Sequence, residues 1–380
     1  EKAEERKRGI RRLQRYICAQ QAARFLGAQA AGKIDADGLR ATALELTLEY
    51  RATLHLNAGL EGGQREVQRG DDLLLLAVHI MLDLCARHLE KGAGASPHAY
   101  LVRLEAVMLL ELAISHSPYN HHFKVLAMEL YKELGSFERG IALYNELDVK
   151  HIQVDSLSYL LYPGCLRCGF FHEGHVASRR VCSVHRSCQG DTADYAAKAL
   201  TQGNYSKALE VVRFQDEKLD KSLQLALAKV EKASLELLLT HHSLPVAIRY
   251  LTELKLGQSP ESLALTDGDI AGLSHNMDYS VRVNWDCPWD APDLAKVAEA
   301  RRRKLARHVS MRLATQRLLL TALQEDKPSK VKESADTLRK LLQQEGGSAE
   351  EDDGLSRAMG ALSTSDSGGA NGVPPEAADG

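Results

Sequence analysis

The sequence lacks the long apolar run that a membrane-spanning helix needs. Its most apolar stretch, LLLLAVHIMLDLC from Leu73 to Cys85, is shorter than a bilayer span and contains His79 and Asp83. A secretory signal is also missing. The seven cysteines are odd in number and lack the dense, regular spacing of a secreted disulfide domain. These absences predict a cytoplasmic protein with reduced thiols and no membrane partner.

Catalytic motifs are absent as well. GAQAAGKI, from Gly27 to Ile34, approaches a phosphate-binding loop, but Ile34 stands where a serine or threonine would hold magnesium. The preceding QRYICAQQAARFL has a helical pattern where a strand is needed. No G-x-S-x-G or H-E-x-x-H motif is present. We therefore predict no catalytic residue and no bound cofactor in this chain.

The charge is unevenly distributed. Residues 345–380 hold eight acids and one base, so the net charge of -3 leaves +4 on residues 1–344. A mildly basic body is compatible with a ribosome-facing or nucleic-acid-facing surface, and equally with ordinary solvated helix faces. The segment 345–380 is rich in Gly, Ser, Ala and acids, which predicts a disordered acidic tail.

A turn pattern recurs every 34 residues. Gly135-Ser-Phe137, Gly169-Phe-Phe171 and Gly203-Asn-Tyr205 are each followed, three residues after the aromatic, by a very small residue. Glycine can end a helix in the left-handed conformation, the aromatic anchors the next helix, and the small residue allows close packing. A period of 34 is that of the tetratricopeptide repeat, although several consensus positions fail. The pattern predicts degenerate helical hairpins.

Helical periodicity continues almost unbroken, which predicts an all-α superhelical solenoid over residues 1–256. The predicted helices outside the three repeats are 5–26, 38–57, 71–91, 98–115, 221–240 and 245–256. Residues 257–293 form a predicted extended crossover, in which Val281, Val283 and Trp285 alternate with polar residues. C-terminal helices are predicted over 294–344. Because the first residue is Glu1 rather than Met, we expect a fragment of a longer protein.

Four cysteines and three histidines crowd the stretch CLRCGFFHEGHVASRRVCSVHRSC. The zinc ligands that this stretch offers are Cys165, Cys168, Cys182, His185 and Cys188. On a hairpin that turns near Gly169, however, Cys165 and Cys188 would lie about 6 and 25 Å from the turn. Zinc–sulfur bonds are about 2.3 Å long. We therefore expect these cysteines to pack between helices, and keep zinc as the alternative.

A basic run in the predicted helix 294–325 offers a possible contact to RNA or the ribosome. Its residues are Arg301, Arg302, Arg303, Lys304 and Arg307. Such a run attracts phosphates, but no interleaved aromatic residues provide a stacking platform. The polar face of a long helix is therefore the favoured interpretation.

Several stretches resemble the auxiliary subunit of the N-terminal acetyltransferase complex NatB. The most specific is ELGSFERGIALYNELDVKHIQVDSLSYL, in which LDVKHIQ is the most specific element. The supporting stretches are LQRYICAQQAARFLG, LEYRATLHLNAGL, DDLLLLAVHIMLDL and HNMDYSVRVNW. The resemblance covers most of residues 1–325. The Cys/His-rich stretch and the acidic tail are departures from it.

The resemblance implies a superhelix of tetratricopeptide-like repeats that wraps a small catalytic subunit. In the family, that partner binds acetyl-CoA and acetylates nascent chains beginning Met-Asp, Met-Glu, Met-Asn or Met-Gln. The auxiliary subunit helps to place it at the ribosome, through indirect or transient contact. The acetyl-CoA loop [QR]-x-x-G-x-[GA] is absent here, since Arg24-x-x-Gly27 ends in Gln29. No DNA partner is implied.

Contacts with the catalytic subunit are expected around Lys150, His151, Gln153 and Asp155. The alternative is that LDVKHIQ mainly packs one repeat on the next. Three other functions remain open: a generic repeat adaptor, the auxiliary subunit of a sister acetyltransferase complex, and a zinc-binding or RNA-binding protein.

Overall fold

The computed structural model describes residues 2–30, 33–57, 67–90, 96–240, 267–283, 285–286, 294–324 and 328–343, with a few positions between 243 and 249. Every regular element in these residues is helical, apart from an isolated parallel bridge between Ser222 and Ser274. The predicted all-α class is confirmed. Most of the predicted helix 245–256, most of the first half of the crossover and the acidic tail lie outside the described residues; Pro245, Val246 and Arg249 are helical.

The first group of helices corresponds closely to the periodic segments of the sequence. It consists of α1 Lys2–Phe25, α2 Ala36–Thr53, α3 Asp71–Glu90, α4 Pro97–His116, α5 His121–Leu134 and α6 Glu138–Glu146. A 3₁₀ turn, Leu54–Asn57, extends α2. Asp35, Ser96 and Asn120 cap the N-termini of α2, α4 and α5 by accepting main-chain hydrogen bonds. The near-match to a phosphate-binding loop follows α1, a helix rather than a strand, as predicted.

The second group is less regular. Its helices are α7 Gln153–Leu157, α8 Tyr162–Arg167, α9 Phe171–Thr201, α10 Tyr205–Phe214, α11 Leu223–Thr240, α12 Asp267–Ala271, α13 Leu294–Gln324 and α14 Pro328–Gln343. A 3₁₀ turn, Ser158–Leu160, links α7 to α8, and a π-turn, Gln215–Leu219, follows α10.

Most helices pack on their neighbours in the chain, which gives a solenoid-like arrangement. The packed pairs include α2 with α3, α3 with α4, α4 with α5, α5 with α6, α9 with α11, α11 with α13 and α13 with α14. The apolar run of α3 is explained by its position, because α1, α2 and α4 all contact it and Leu73 to Val78 are at most 1% exposed. Burial of such faces between neighbours stabilises helices that would be marginal alone.

The three predicted turns occur where the 34-residue pattern places them. Gly135, Gly169 and Gly203 have φ angles of 75°, 80° and 72°, in the left-handed region that glycine adopts without a steric penalty. The structure departs from separate hairpins in one respect: α9 is a single helix of 31 residues that runs from the second turn to the third. The tetratricopeptide assignment and the domain boundaries therefore stay predictions.

Alanine at two glycines of the α9 region is expected to have opposite effects. Gly203 lies at φ 72°, whereas Gly190 lies inside α9, and an added Cβ at either position meets no atom within 4 Å. Gly203→Ala should therefore lower the free energy of unfolding by about 1 kcal/mol, through backbone strain alone. Gly190→Ala should raise it by about 0.5–1 kcal/mol. Urea denaturation of both variants measures the difference, and equal signs would contradict the left-handed assignment.

Candidate functional site

A segment late in the sequence runs back across the earlier helices. It comprises residues 274–283, 285 and 286, and we call it the strap. It begins at the bridge between Ser274 and Ser222, crosses the region of α7 and α5, and ends on α3 and α1. The strap therefore connects parts of the chain that are as much as 262 residues apart.

Hydrogen bonds hold the middle of the strap at each helix it crosses. Asp278 donates its main-chain N–H to Ser156 O (3.1 Å), and Tyr159 Oη donates to Asp278 O (3.0 Å). Further along, His122 Nδ1 lies 3.1 Å from Val281 O. An ion pair between Arg282 and Glu129 of α5 (3.2 Å) follows.

The far end of the strap is fixed by an aromatic contact and a buried arginine. Trp285 packs edge-on against His79 of α3, with 5.9 Å between ring centroids, and burial lowers the pKa of His79 to about 3. A neutral ring at this position can be buried without a counter-charge. Arg24 of α1 is 5% exposed and bonds both Asp83 of α3 (2.7 Å) and Asp286 (2.6 Å). The Arg24 guanidinium thus links α1 to both α3 and the end of the strap.

Asp155 of α7 is the buried centre of a second network, which we call the Asp155 hub. Its Oδ1 accepts hydrogen bonds from His185 Nε2 and Ser222 Oγ, both at 2.7 Å, and its Oδ2 accepts from Asn276 Nδ2 at 3.0 Å. Ser222 also caps α11, because its Oγ accepts from Leu225 N. The hub therefore joins α7, α9, α11 and the strap at one carboxylate that is 1% exposed.

This burial separates Asp155 from the other residues expected to contact a partner. Lys150, His151 and Gln153 are exposed, whereas Asp155 lies in the interior and contributes to no surface that a partner can reach. The expected partner contact therefore does not extend to Asp155, which packs one part of the solenoid on the next. His151 has a φ of 50°, an uncommon left-handed value for a residue other than glycine.

The candidate zinc ligands do not converge. Cys165 is 0% exposed in the main core, where burial raises the pKa of its thiol to about 12, and His185 belongs to the Asp155 hub. Cys168 follows α8, while Cys182 and Cys188 lie along α9. Within the described part of the chain, no group of three or more His, Cys, Asp or Glu side chains is arranged to hold a metal ion. A thiol with a raised pKa is a poor source of the thiolate that zinc needs.

Much of the basic run in α13 is engaged within the chain. Arg301 lies over the ring of Tyr279, 4.0 Å from its centroid, and Arg302 bonds both Glu299 and Ala271 O. Arg307 donates to Leu341 O of α14 (2.9 Å). Arg303 Nε lies 3.8 Å from Glu299 Oε1, within α13, and Lys304 also interacts with another group of the chain. Arg301, Arg302 and Arg307 therefore fix α13 to the strap, α12 and α14, whereas Arg303 and Lys304 are exposed on its polar face.

An exposed apolar surface that sequence analysis did not single out lies on α2 and α4. On α4, Leu101, Leu104, Met108 and Leu112 follow the i, i+3, i+7, i+11 spacing of one helix face, and Met108 is 66% exposed. The opposite side of α4 is also apolar and is buried. The sequence did contain a signal for this surface. α4 is apolar on all of its sides, and a helix of that kind is normally covered on every side by other parts of a protein.

The exposed face of α2 adjoins that of α4. Leu44 and Leu48 of α2 are more than half exposed. The two helices run side by side in the same direction, since Arg40 pairs with Glu105 (2.7 Å) and Tyr50 Oη lies 3.3 Å from His116 Nδ1. We call the surface formed by Leu44, Leu48, Leu101, Leu104, Met108 and Leu112 the α2–α4 face.

Comparison with known proteins decides the family. Residues 1–279 match the sequence model of the N-acetyltransferase B complex (NatB) non-catalytic subunit. The chain belongs to this family. The match covers most of the solenoid and the strap as far as Tyr279, and it includes LDVKHIQ. The description of this family as a non-catalytic subunit confirms the prediction of a non-enzymatic chain.

Individual relatives agree with the family. The chain is similar to N-alpha-acetyltransferase 25, NatB auxiliary subunit, of Rattus norvegicus and Homo sapiens, with 30% identity over 73% of this chain and 27% and 26% of those proteins. The NatB auxiliary subunit NAA25 of Arabidopsis thaliana is 26% identical over 79% of this chain and 28% of its own length. The chain thus spans about a quarter of the length of these relatives.

Two of the stretches that carry the family resemblance are in direct contact. LDVKHIQVDSLSYL supplies Asp155, Ser156 and Tyr159, and HNMDYSVRVNW supplies their partners Asn276 and Asp278. These two stretches therefore supply the contacts in the middle of the strap and two of the four residues of the Asp155 hub. Among the helices in the described ranges, none has both the length and the apolar character needed to cross a bilayer.

Proposed function

We propose that this chain is the part of a NatB auxiliary subunit that holds the catalytic acetyltransferase subunit in the cytoplasm. The partner binds acetyl-CoA and transfers acetyl groups to nascent chains beginning Met-Asp, Met-Glu, Met-Asn or Met-Gln. This chain supplies a stable surface, and a transient or indirect contact places the complex at the ribosome. The family match over residues 1–279 and the solenoid-like fold support this proposal.

The observation that carries the partner-binding role is the α2–α4 face. Its six large apolar side chains are each between 39% and 66% exposed, and they lie on two parallel helices that α3 supports from behind. Exposed apolar patches of this kind are typical of protein–protein contacts, and methionine adapts to an irregular partner surface. The ion pair between Arg40 and Glu105 gives the patch a polar element suited to an interface.

The test is binding of the purified catalytic subunit to the full chain. Leu104→Asp combined with Met108→Asp should weaken the complex by about thirtyfold or more, because two carboxylates would be buried against an apolar partner. A matched control is Leu209→Asp combined with Val212→Asp on α10, two exposed apolar residues outside the α2–α4 face. Equal weakening by both pairs, or no effect of the α4 pair on affinity, would contradict the assignment.

Acetyl transfer onto peptides separates the proposal from its two alternatives. A complex that prefers a Met-Asp peptide to a Ser-Ala peptide supports a NatB-type partner. The opposite preference indicates a sister acetyltransferase complex. A chain that folds but binds neither type of catalytic subunit indicates a generic adaptor.

A further inference from the structure

Four arginines form one exposed face of α1. Arg8, Arg11, Arg12 and Arg15 follow the i, i+3, i+4, i+7 spacing that places side chains on a single side of a helix, and all four are exposed. We call this set the α1 arginine face. Over this length the helix rises by about 10 Å. The face is therefore a compact stripe of four positive charges.

The charge of this stripe is not neutralised within the described structure. None of the four arginines makes an ion pair or a side-chain hydrogen bond with a described residue. The acids of α1 are Glu4 and Glu5 in its first turn, and Glu4 pairs with Lys7. The stripe contains two pairs of like charges at i and i+4, Arg8 with Arg12 and Arg11 with Arg15, and such pairs destabilise a helix. A bound polyanion would remove that cost.

The other basic candidates of the chain differ in this respect. In the α13 run, Arg301, Arg302 and Arg307 bond within the chain, and Arg24 of α1 is buried between Asp83 and Asp286. The α1 arginine face thus has guanidinium groups that keep all their donors for a ligand. Guanidinium groups bind phosphate oxygens through two parallel hydrogen bonds.

The apolar side of α1 indicates what kind of anion is involved. Leu13 and Ile17 are 5% and 6% exposed in the main core, and α1 packs on α3. A helix that binds a lipid surface inserts its apolar side between the lipids, and here that side is already covered by the protein. A polymer of phosphates needs only the exposed charged side.

We propose that the α1 arginine face binds the phosphate backbone of RNA. The inference deepens the ribosome contact of the proposed function and rests on that function for the choice of RNA over DNA. It replaces the α13 run as the RNA contact. Binding through this face depends on charge and salt rather than on base sequence.

The experiment titrates the full chain, without the catalytic subunit, into a labelled oligouridylate between about 50 and 200 mM salt. Arg11→Gln with Arg12→Gln should raise Kd about tenfold at the low end of this range. The slope of log affinity against log salt should become less steep by about 1.4, which corresponds to two lost phosphate contacts. The charge-matched control is Arg303→Gln with Lys304→Gln, which should leave Kd within about twofold and the salt slope within about 0.3 of the unmodified chain.

Three results would overturn the proposal. They are no measurable RNA binding, a larger loss with the α13 control than with the α1 pair, and competition by polyglutamate that equals competition by unlabelled RNA. Circular dichroism of each variant checks that the helical content of the chain is unchanged. Failure here is distinct from failure of the proposed function, because the α1 pair should retain the catalytic subunit with unchanged affinity.

Discussion

Replacing Asp155 by alanine is expected to lower the free energy of unfolding by about 4 kcal/mol. The carboxylate is 1% exposed and accepts hydrogen bonds from His185, Ser222 and Asn276. Alanine would leave the buried donors of His185 and Ser222 without their acceptor, at about 1–3 kcal/mol each, and would remove one of the two hydrogen bonds of the half-buried Asn276 amide. Urea denaturation followed by circular dichroism measures the change, and hydrogen exchange shows whether α7, α11 and the strap are affected together.

Variants around the Asp155 hub control for a general effect of substitution. Gln153→Ala, on the exposed side of the same short helix, should change stability by no more than about 0.5 kcal/mol. Asn276→Ala should cost about 1–2 kcal/mol because it removes the half-buried amide that bonds both Asp155 and Lys218 O. Asp155→Asn keeps the shape of the side chain and should fold if the alanine variant does not. An Asp155→Ala chain as stable as Gln153→Ala would show that the hub does not stabilise the fold.

The Asp155 hub and the strap give the chain a stability that stacking alone does not provide. In a solenoid, each unit contacts mainly its neighbours, so local opening needs few broken contacts. Here the strap adds contacts that join α11 to α7, α5, α3 and α1. The strap contacts α3 and α5, which pack on α2 and α4, so it reaches the helices that support the α2–α4 face. A rigid surface loses less conformational entropy when a partner binds.

The features of the fold that the sequence predicts are local ones. The left-handed turns at Gly135, Gly169 and Gly203 follow from one residue type at one spacing, because glycine alone adopts this conformation without penalty. The separation of Cys165 from Cys188 follows from the rise of a helix. The apolar run of α3 predicts burial without any knowledge of the neighbouring helices.

The features that the sequence does not predict depend on contacts between distant residues. Asp155 looks like an ordinary acid in a polar segment, and its partners are 30, 67 and 121 residues away. The runs around Arg302 and Arg11 are both basic helix faces in the sequence. They differ because Glu299 and Ala271 O lie beside Arg302, while no acceptor among the described residues bonds Arg11. Charge patterns identify candidates, and packing decides which of them stay free for a ligand.

Gly164→Ala is expected to destabilise the chain by about 3 kcal/mol. Phe137 is 0% exposed, and its ring lies against Gly140 of α6 and Gly164 of α8, where an added Cβ would come within 3.0 Å of ring carbons. Phe137→Leu alone should cost about 1.5 kcal/mol through lost volume. In the double variant the smaller leucine makes room for the new methyl group, so the combined loss of unfolding free energy should be at least about 1 kcal/mol smaller than the sum. Additive losses in urea denaturation would contradict a direct clash with Phe137.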